Sequence, residues 1–82
     1  MIIVVNSRQF GINLEKARKA KKLSRWKLAS MVGMKWRELY RLEKGIDREI
    51  ELMVLYDLCS SLHKEMEEII NNQNNNAQID TE

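Results

Sequence analysis

Apolar residues recur along this chain at helical spacing, in five stretches separated by polar joints. The first is carried by Phe10, Leu14 and Ala17 at i, i+4 and i+7, with Ser7 as its expected N-cap. Arg8, Lys16, Lys19, Lys21 and Lys22 fall mostly off that stripe. Leu28, Ala29 and Val32 make a second apolar face after Ser24, whose hydroxyl can accept a hydrogen bond from a free N–H of the first turn. Gly33 breaks that run and can enter a left-handed C-cap without steric cost. Met34, Leu39 and Leu42 form the third stripe, which Gly45 ends. Asp47 is placed to cap a fourth helix, with Glu49 and Glu51 near its positive end and Leu52, Leu55, Tyr56, Cys59 and Leu62 as its apolar face. Residues 60–63 are a joint, and Met66, Ile69 and Ile70 supply a short fifth helix with Glu65, Glu67 and Glu68 outside.

The ends break the pattern. Residues 1–5, MIIVV, are branched and apolar and predict a short strand or arm. Such an arm pairs with a second subunit, adds to another edge of its own chain, or covers the core; the sequence leaves all three open. Residues 71–82, NNQNNNAQIDTE, cannot bury enough apolar surface to offset their ordering entropy and predict a disordered tail. The organisation expected is therefore an arm over 1–6, one domain over 7–70 and a tail over 71–82.

Residues 24–45 stand out within this frame. Two short helices joined at Gly33, with small Ala29 where they must cross closely, form a helix-turn-helix unit. Charge is distributed around it unevenly. Residues 1–48 hold thirteen Lys or Arg against four Asp or Glu, a net +9, and residues 49–82 hold one against eight, a net −7. A basic half that contains the helix-turn-helix suits a polyanion-binding face with a separate back face.

Other chemistry finds little support. Eighty-two residues fit one small domain. A lone Cys59 forms no internal disulfide, which fits a reducing cytoplasm, and its apolar helical face predicts a buried thiol. His63 is the single histidine and has no partner at metal-ligand spacing. The opening apolar run is too short for a signal-peptide core or a membrane span. The sequence offers no acid/base pair, phosphate-cradling Gly loop or activated nucleophile, so neither an enzyme nor a cofactor is expected.

Leu28-Ala29, Gly33, Leu39, Leu42-Glu43 and Gly45 match the spacing LA…G…(I/L)..LE.G of the phage-repressor/Cro-type (Xre-like) helix-turn-helix family, which this chain resembles. The match runs upstream through Leu14, Arg18 and Leu23-Ser24, and downstream through Leu58, Leu62, Met66 and Ile69-Ile70. The resemblance implies an all-α, compact five-helix, lambda-repressor-like DNA-binding domain. It implies a transcriptional regulator acting on double-stranded DNA, a repressor rather than an activator, working as a homodimer. Residues 35–44 then form the recognition helix, with base contacts at Trp36, Arg37, Tyr40 and Arg41. Arg37 and Arg41 are four apart and share a face. Arg25 matches a phosphate-contacting position, and Lys27, Lys35, Lys44 and Arg48 join it by charge. Arg18 and Glu43 match an ion pair that ties the first helix to the third.

Four departures from the family pattern bear on these expectations. Lys22 stands where relatives often have Gly at the end of the first helix, and residues 46–51 have no proline and about one extra residue. Lys35 replaces the usual Ser or Thr cap and cannot accept a hydrogen bond, so the cap must be weak or come from elsewhere. Trp36 replaces a small or polar residue, and Trp26 also falls at a normally exposed position. The alternative function is therefore a protein-interaction module that keeps the scaffold and grips a protein partner with Trp26, Trp36 and Tyr40.

Overall fold

The computed structural model describes residues 1–70; the tail expected over 71–82 lies outside the described residues. The elements run β1 (Ile2–Val4), α1 (Ser7–Ala20), α2 (Arg25–Val32), α3 (Trp36–Glu43), β2 (Glu49–Glu51), α4 (Leu52–Leu62) and α5 (Met66–Ile70). α1 packs on α3 and α5, while α2 packs on α3 and α4. Phe10, Leu14, Leu28, Leu39, Leu55, Leu58 and Leu62 fill the centre with essentially no exposed surface. Burying a side chain of this size contributes about 1.5–3 kcal/mol.

Three local expectations are corrected. The N-cap of α1 is Asn6, whose side chain accepts from the Gln9 N–H at 3.2 Å, so Ser7 becomes the first helical residue. Asp47 does not cap α4. Residues 49–51 are extended instead, and Glu51 takes the N-cap position, its carboxylate accepting from Met53 N at 3.5 Å. The face of α4 is also rotated from expectation: Tyr56 is exposed and Leu58 is buried in its place. Leu55, Leu58, Cys59 and Leu62 follow an i, i+3, i+4, i+7 pattern that leaves Tyr56 outside.

The arm adds to its own chain. β1 pairs antiparallel with β2, with Ile3 opposite Ile50. Val5 N donates to Arg48 O and Leu52 N to Met1 O, each at 2.8 Å. Val5 and Ile50 turn into the core, while Ile2 and Val4 remain exposed. The period of two residues explains this: branched apolar side chains alternate between core and solvent along a strand.

Two contacts fix α1 that the apolar pattern does not announce. A Cβ on Gly11 would collide with the Glu43 carbonyl oxygen and lie 2.6 Å from that of Leu42, so α1 and α3 meet backbone to backbone there. Asn13 is buried and donates from Nδ2 to Ile69 O at 2.8 Å, while accepting from Gln9 Nε2 at 2.9 Å. That pair of bonds satisfies the buried amide and ties α5 to α1.

Candidate nucleic-acid interface

α2 and α3 are set at their angle by the turn between them. Ser24 Oγ accepts from Lys27 N at 3.0 Å and starts α2. Gly33 ends it at φ +73°, in the left-handed region that costs glycine nothing, and Met34 N returns to Ala29 O at 3.0 Å. α3 then buries Leu39, Leu42 and Glu43 and turns Trp36, Arg37, Tyr40, Arg41 and Lys44 outward. Lys35 offers no side-chain cap. The first-turn N–H groups gain no side-chain acceptor from residue 35, while the reciprocal half of a capping box is present: Glu38 reaches back and accepts from Lys35 N at 2.9 Å. Its negative charge also lies in the first turn, where the helix dipole favours it.

Behind this face lies a charged cluster around one carboxylate. Arg18 donates from Nε to Glu43 Oε2 at 2.7 Å and from Nη2 to Oε1 at 3.1 Å, and a third bond runs from Nη1 to Leu23 O at 2.7 Å. Glu43 is fully buried at its side chain and Arg18 nearly so. Arg25 donates from Nε to Glu43 Oε1 at 2.7 Å and from Nη2 to Glu15 Oε2 at 3.3 Å. Lys19 Nζ stands 3.2 Å from the same Glu15 oxygen. Partial burial is the largest influence on Glu15 and pushes its carboxyl up. The hydrogen bond from Lys19 and the charges of Lys19, Lys44 and Arg25 together outweigh it and hold the group below its ordinary 4.5.

Arg25, expected at a phosphate-contacting position, is engaged by two carboxylates and keeps 26% of its side chain exposed. Its guanidinium faces Glu43 and Glu15 and lies over the Tyr40 ring, 5.1 Å from the centroid. The physical reason is the buried Glu43 carboxylate, whose remaining acceptor capacity draws in a second guanidinium.

Three of the four expected base-contacting residues, Trp36, Arg37 and Tyr40, come together. Trp36 and Tyr40 meet edge to face at 6.5 Å between centroids, Arg37 lies over Trp36 at 5.8 Å, and Lys44 Nζ is 5.9 Å from the Tyr40 centroid. Arg41 leaves this group to meet Asp47, with Nε 3.2 Å from both carboxylate oxygens and Nη2 3.1 Å from Oδ1. Lys27, Lys35, Arg37 and Arg48 are exposed, and among the described residues none of them makes an ion pair with an acid. Trp26 stands 68% exposed and Trp36 48%, on either side of a shallow cleft floored by Ala29, Ser30 and Met34.

The rest of the chain offers little else for chemistry. Among the described residues no three His, Cys, Asp or Glu side chains are grouped to hold a metal. No described helix is long and apolar enough to cross a membrane. Cys59 is buried, and that burial, with the negative charges of Glu65 and Glu68, pushes its thiol up to about 11. It stays protonated and inert at neutral pH.

No family model and no curated protein matches this sequence. Solved structures do. The chain is similar to the restriction-modification controller protein C.AhdI from Aeromonas hydrophila, at 29% identity over 76% of this chain and 92% of that one, with a TM-score of 0.70. It shares its fold with the clp gene regulator ClgR from Corynebacterium glutamicum, at 20% identity over 79% of this chain and 68% of that one, TM-score 0.73. An iron(II)-bound HppE in complex with substrate also shares the fold alone, at 22% identity over 88% of this chain and 41% of that one, TM-score 0.75.

Fold and turn define a helix-turn-helix protein. With α2, the Gly33 turn and α3 in this arrangement, the chain is similar to the phage-repressor/Cro-type (Xre-like) regulators of that class.

Proposed function

We propose that this protein is a sequence-specific, double-stranded DNA-binding transcriptional regulator that lays α3 in the major groove and represses by occupying its operator. The observation that carries this reading is the outer face of α3: Arg37, Arg41 and Lys44 stand on it together with Trp36 and Tyr40, at or near the surface. The C.AhdI similarity supports it, since that protein is a controller and shares nearly its whole length with this fold.

In this reading Arg37 and Arg41 each present a guanidinium to guanine O6 and N7, worth about 1–3 kcal/mol of discrimination. Trp36 and Tyr40 supply apolar contact to base or sugar. Lys27, Lys35, Lys44 and Arg48 meet phosphates, while Arg25 stabilises the helix from behind. The protein acts in the cytoplasm as a homodimer on paired half-sites. Exposed Met53 and Tyr56 on α4, with Ile2 and Val4 on β1, offer apolar surface for a second copy. Selection of bound sequences from a random duplex pool tests the reading. A defined operator supports it, and recovery of random sequence refutes it.

Exposure of both tryptophans favours one second reading, in which Trp26, Trp36 and Tyr40 hold a protein partner. Trp26→Ala separates the two: it leaves duplex binding nearly intact in the first and removes the function in the second.

A further inference from the structure

The loop after α3 brings an acidic residue onto the proposed reading face, where a carboxylate would repel a polyanion. Gly45, at φ +76°, turns the chain back, and Ile46 N and Asp47 N both donate to Arg41 O, at 2.9 and 3.3 Å. Asp47 is thereby fixed beside residue 41 by backbone, and its carboxylate meets the side chain of that same residue. The three donor–acceptor distances, 3.1 to 3.2 Å, all involve Nε and Nη2 of Arg41. Asp47 has no competing duty as a helix cap, since Glu51 takes that position on α4.

We propose that Asp47 is a positioning residue for sequence readout: it grips Arg41 by the Nε/Nη2 edge and leaves the Nη1/Nη2 edge aimed outward for one guanine. The inference rests on the DNA-binding reading above. A guanidinium has five N–H donors in a rigid plane, so one edge can be held by a carboxylate while the other makes paired hydrogen bonds. Holding the side chain beforehand removes part of the ordering cost of binding. The pairing has a second consequence. Arg41 and Asp47 together are neutral, so Arg41 adds little to general phosphate attraction and acts through geometry instead. Arg37 is different in kind: the ring of Trp36 lies near it, but no carboxylate holds it among the described residues. The two arginines therefore read with unequal stringency, Arg41 the stricter.

The test begins with the operator selected by the natural protein and its single-base variants. Arg41→Ala identifies the base pair whose preference that residue sets. Asp47→Asn keeps the shape but removes the charge, and melting curves establish that each variant folds. At the Arg41-dependent base pair, Asp47→Asn is expected to lower the preference for guanine by about fivefold, a fraction of what one paired contact can supply. Affinity for a random duplex of the same length stays equal or tightens, because a negative charge has left the face. Adding Asp47→Asn to Arg41→Ala changes the preference no further.

Undiminished preference in Asp47→Asn overturns the proposal, as does a loss in the double variant beyond that of Arg41→Ala. An Arg41→Ala protein with unaltered preference overturns it too, because Asp47 would then position nothing that reads. Those results leave DNA binding itself intact. Failure of the natural protein to bind duplex, or to select any sequence, is the distinct outcome that defeats the DNA-binding reading and this inference with it.

Discussion

Arg18 and Glu43 grip each other across the α1–α3 interface, Nε to Oε2 at 2.7 Å and Nη2 to Oε1 at 3.1 Å. The side chain of Glu43 is fully buried and that of Arg18 is 7% exposed, so neither charge has water to fall back on. Removing Arg18 leaves buried Glu43 to Arg25 alone, and removing Glu43 leaves buried Arg18 with Leu23 O and a distant Glu15, so each loss approaches the ~3–5 kcal/mol of a broken buried pair. Arg18→Met and Glu43→Leu should each lower stability by roughly this much in urea titrations. The double variant should lose clearly less than the sum. Additive losses would show that the pair is not coupled.

Gly11 is the second fixed point of that interface. Alanine there would gain about 1 kcal/mol in helix propensity, since glycine is poor in a helix interior. Against that gain, the added methyl meets the carbonyl oxygens of Glu43 and Leu42, which are backbone atoms with little room to retreat. Overpacking of this kind costs typically about 1–3 kcal/mol, so Gly11→Ala should be net destabilising. A Gly11→Ala protein as stable as the parent, judged by thermal melting, would mean that α1 and α3 can separate at no cost.

Much of this is legible in the amino-acid sequence alone, and the reasons divide cleanly. Phe10, Leu14, Leu28, Leu39 and Leu42 lie where helical periodicity puts them because burial of one face is what makes a short helix stable. Gly33 marked its turn because its φ is positive. Strand β2 was hidden for the opposite reason: EIE between Arg48 and Leu52 is too short for a period of two to outweigh the acidic signal of a helix start. Tyr56 was misplaced because it lies one position past the register that Leu58 shares with Leu55 and Leu62. The inward turn of Arg25 and the grip of Asp47 on Arg41 depend on which carboxylates the fold brings near, which no local pattern records. Gly11 did leave a trace, as an isolated glycine inside a helical pattern, a usual mark of close backbone approach.

The cap of α3 yields a stabilising prediction. Lys35 has a free N-cap position that only a side-chain acceptor can use, and Glu38 already covers the Lys35 N–H. Lys35→Ser adds an acceptor for the first turn and should raise stability by about 0.5–1 kcal/mol, seen as a higher melting temperature. The same change should weaken duplex binding if Lys35 contacts phosphate. A lower melting temperature would show that the lysine stem contributes more to packing than the cap can return.

Acid should unfold the protein partly through Glu15. Its carboxyl titrates below the ordinary 4.5 in the folded chain, so the unfolded chain binds the proton more readily. The stabilisation is fully present above about 4.5 and is lost as pH falls through the lower folded value. Urea midpoints measured from pH 7 down to pH 3 should therefore decline below 4.5, and less steeply in Glu15→Gln. Parallel declines in the two proteins would remove Glu15 from the account.

Affinity for a duplex carrying the selected operator, followed as salt rises, tests the central claim most directly: that α3 offers its cationic side to DNA. Each phosphate neutralised releases condensed counterions, so the logarithm of the binding constant should fall linearly with the logarithm of salt concentration. With Lys27, Lys35, Lys44 and Arg48 as the contacts, a slope of about −3 to −4 per protomer is expected, shallower by about one unit for Lys35→Ala. A slope near zero, with binding unaffected by Lys35→Ala, would contradict the claim.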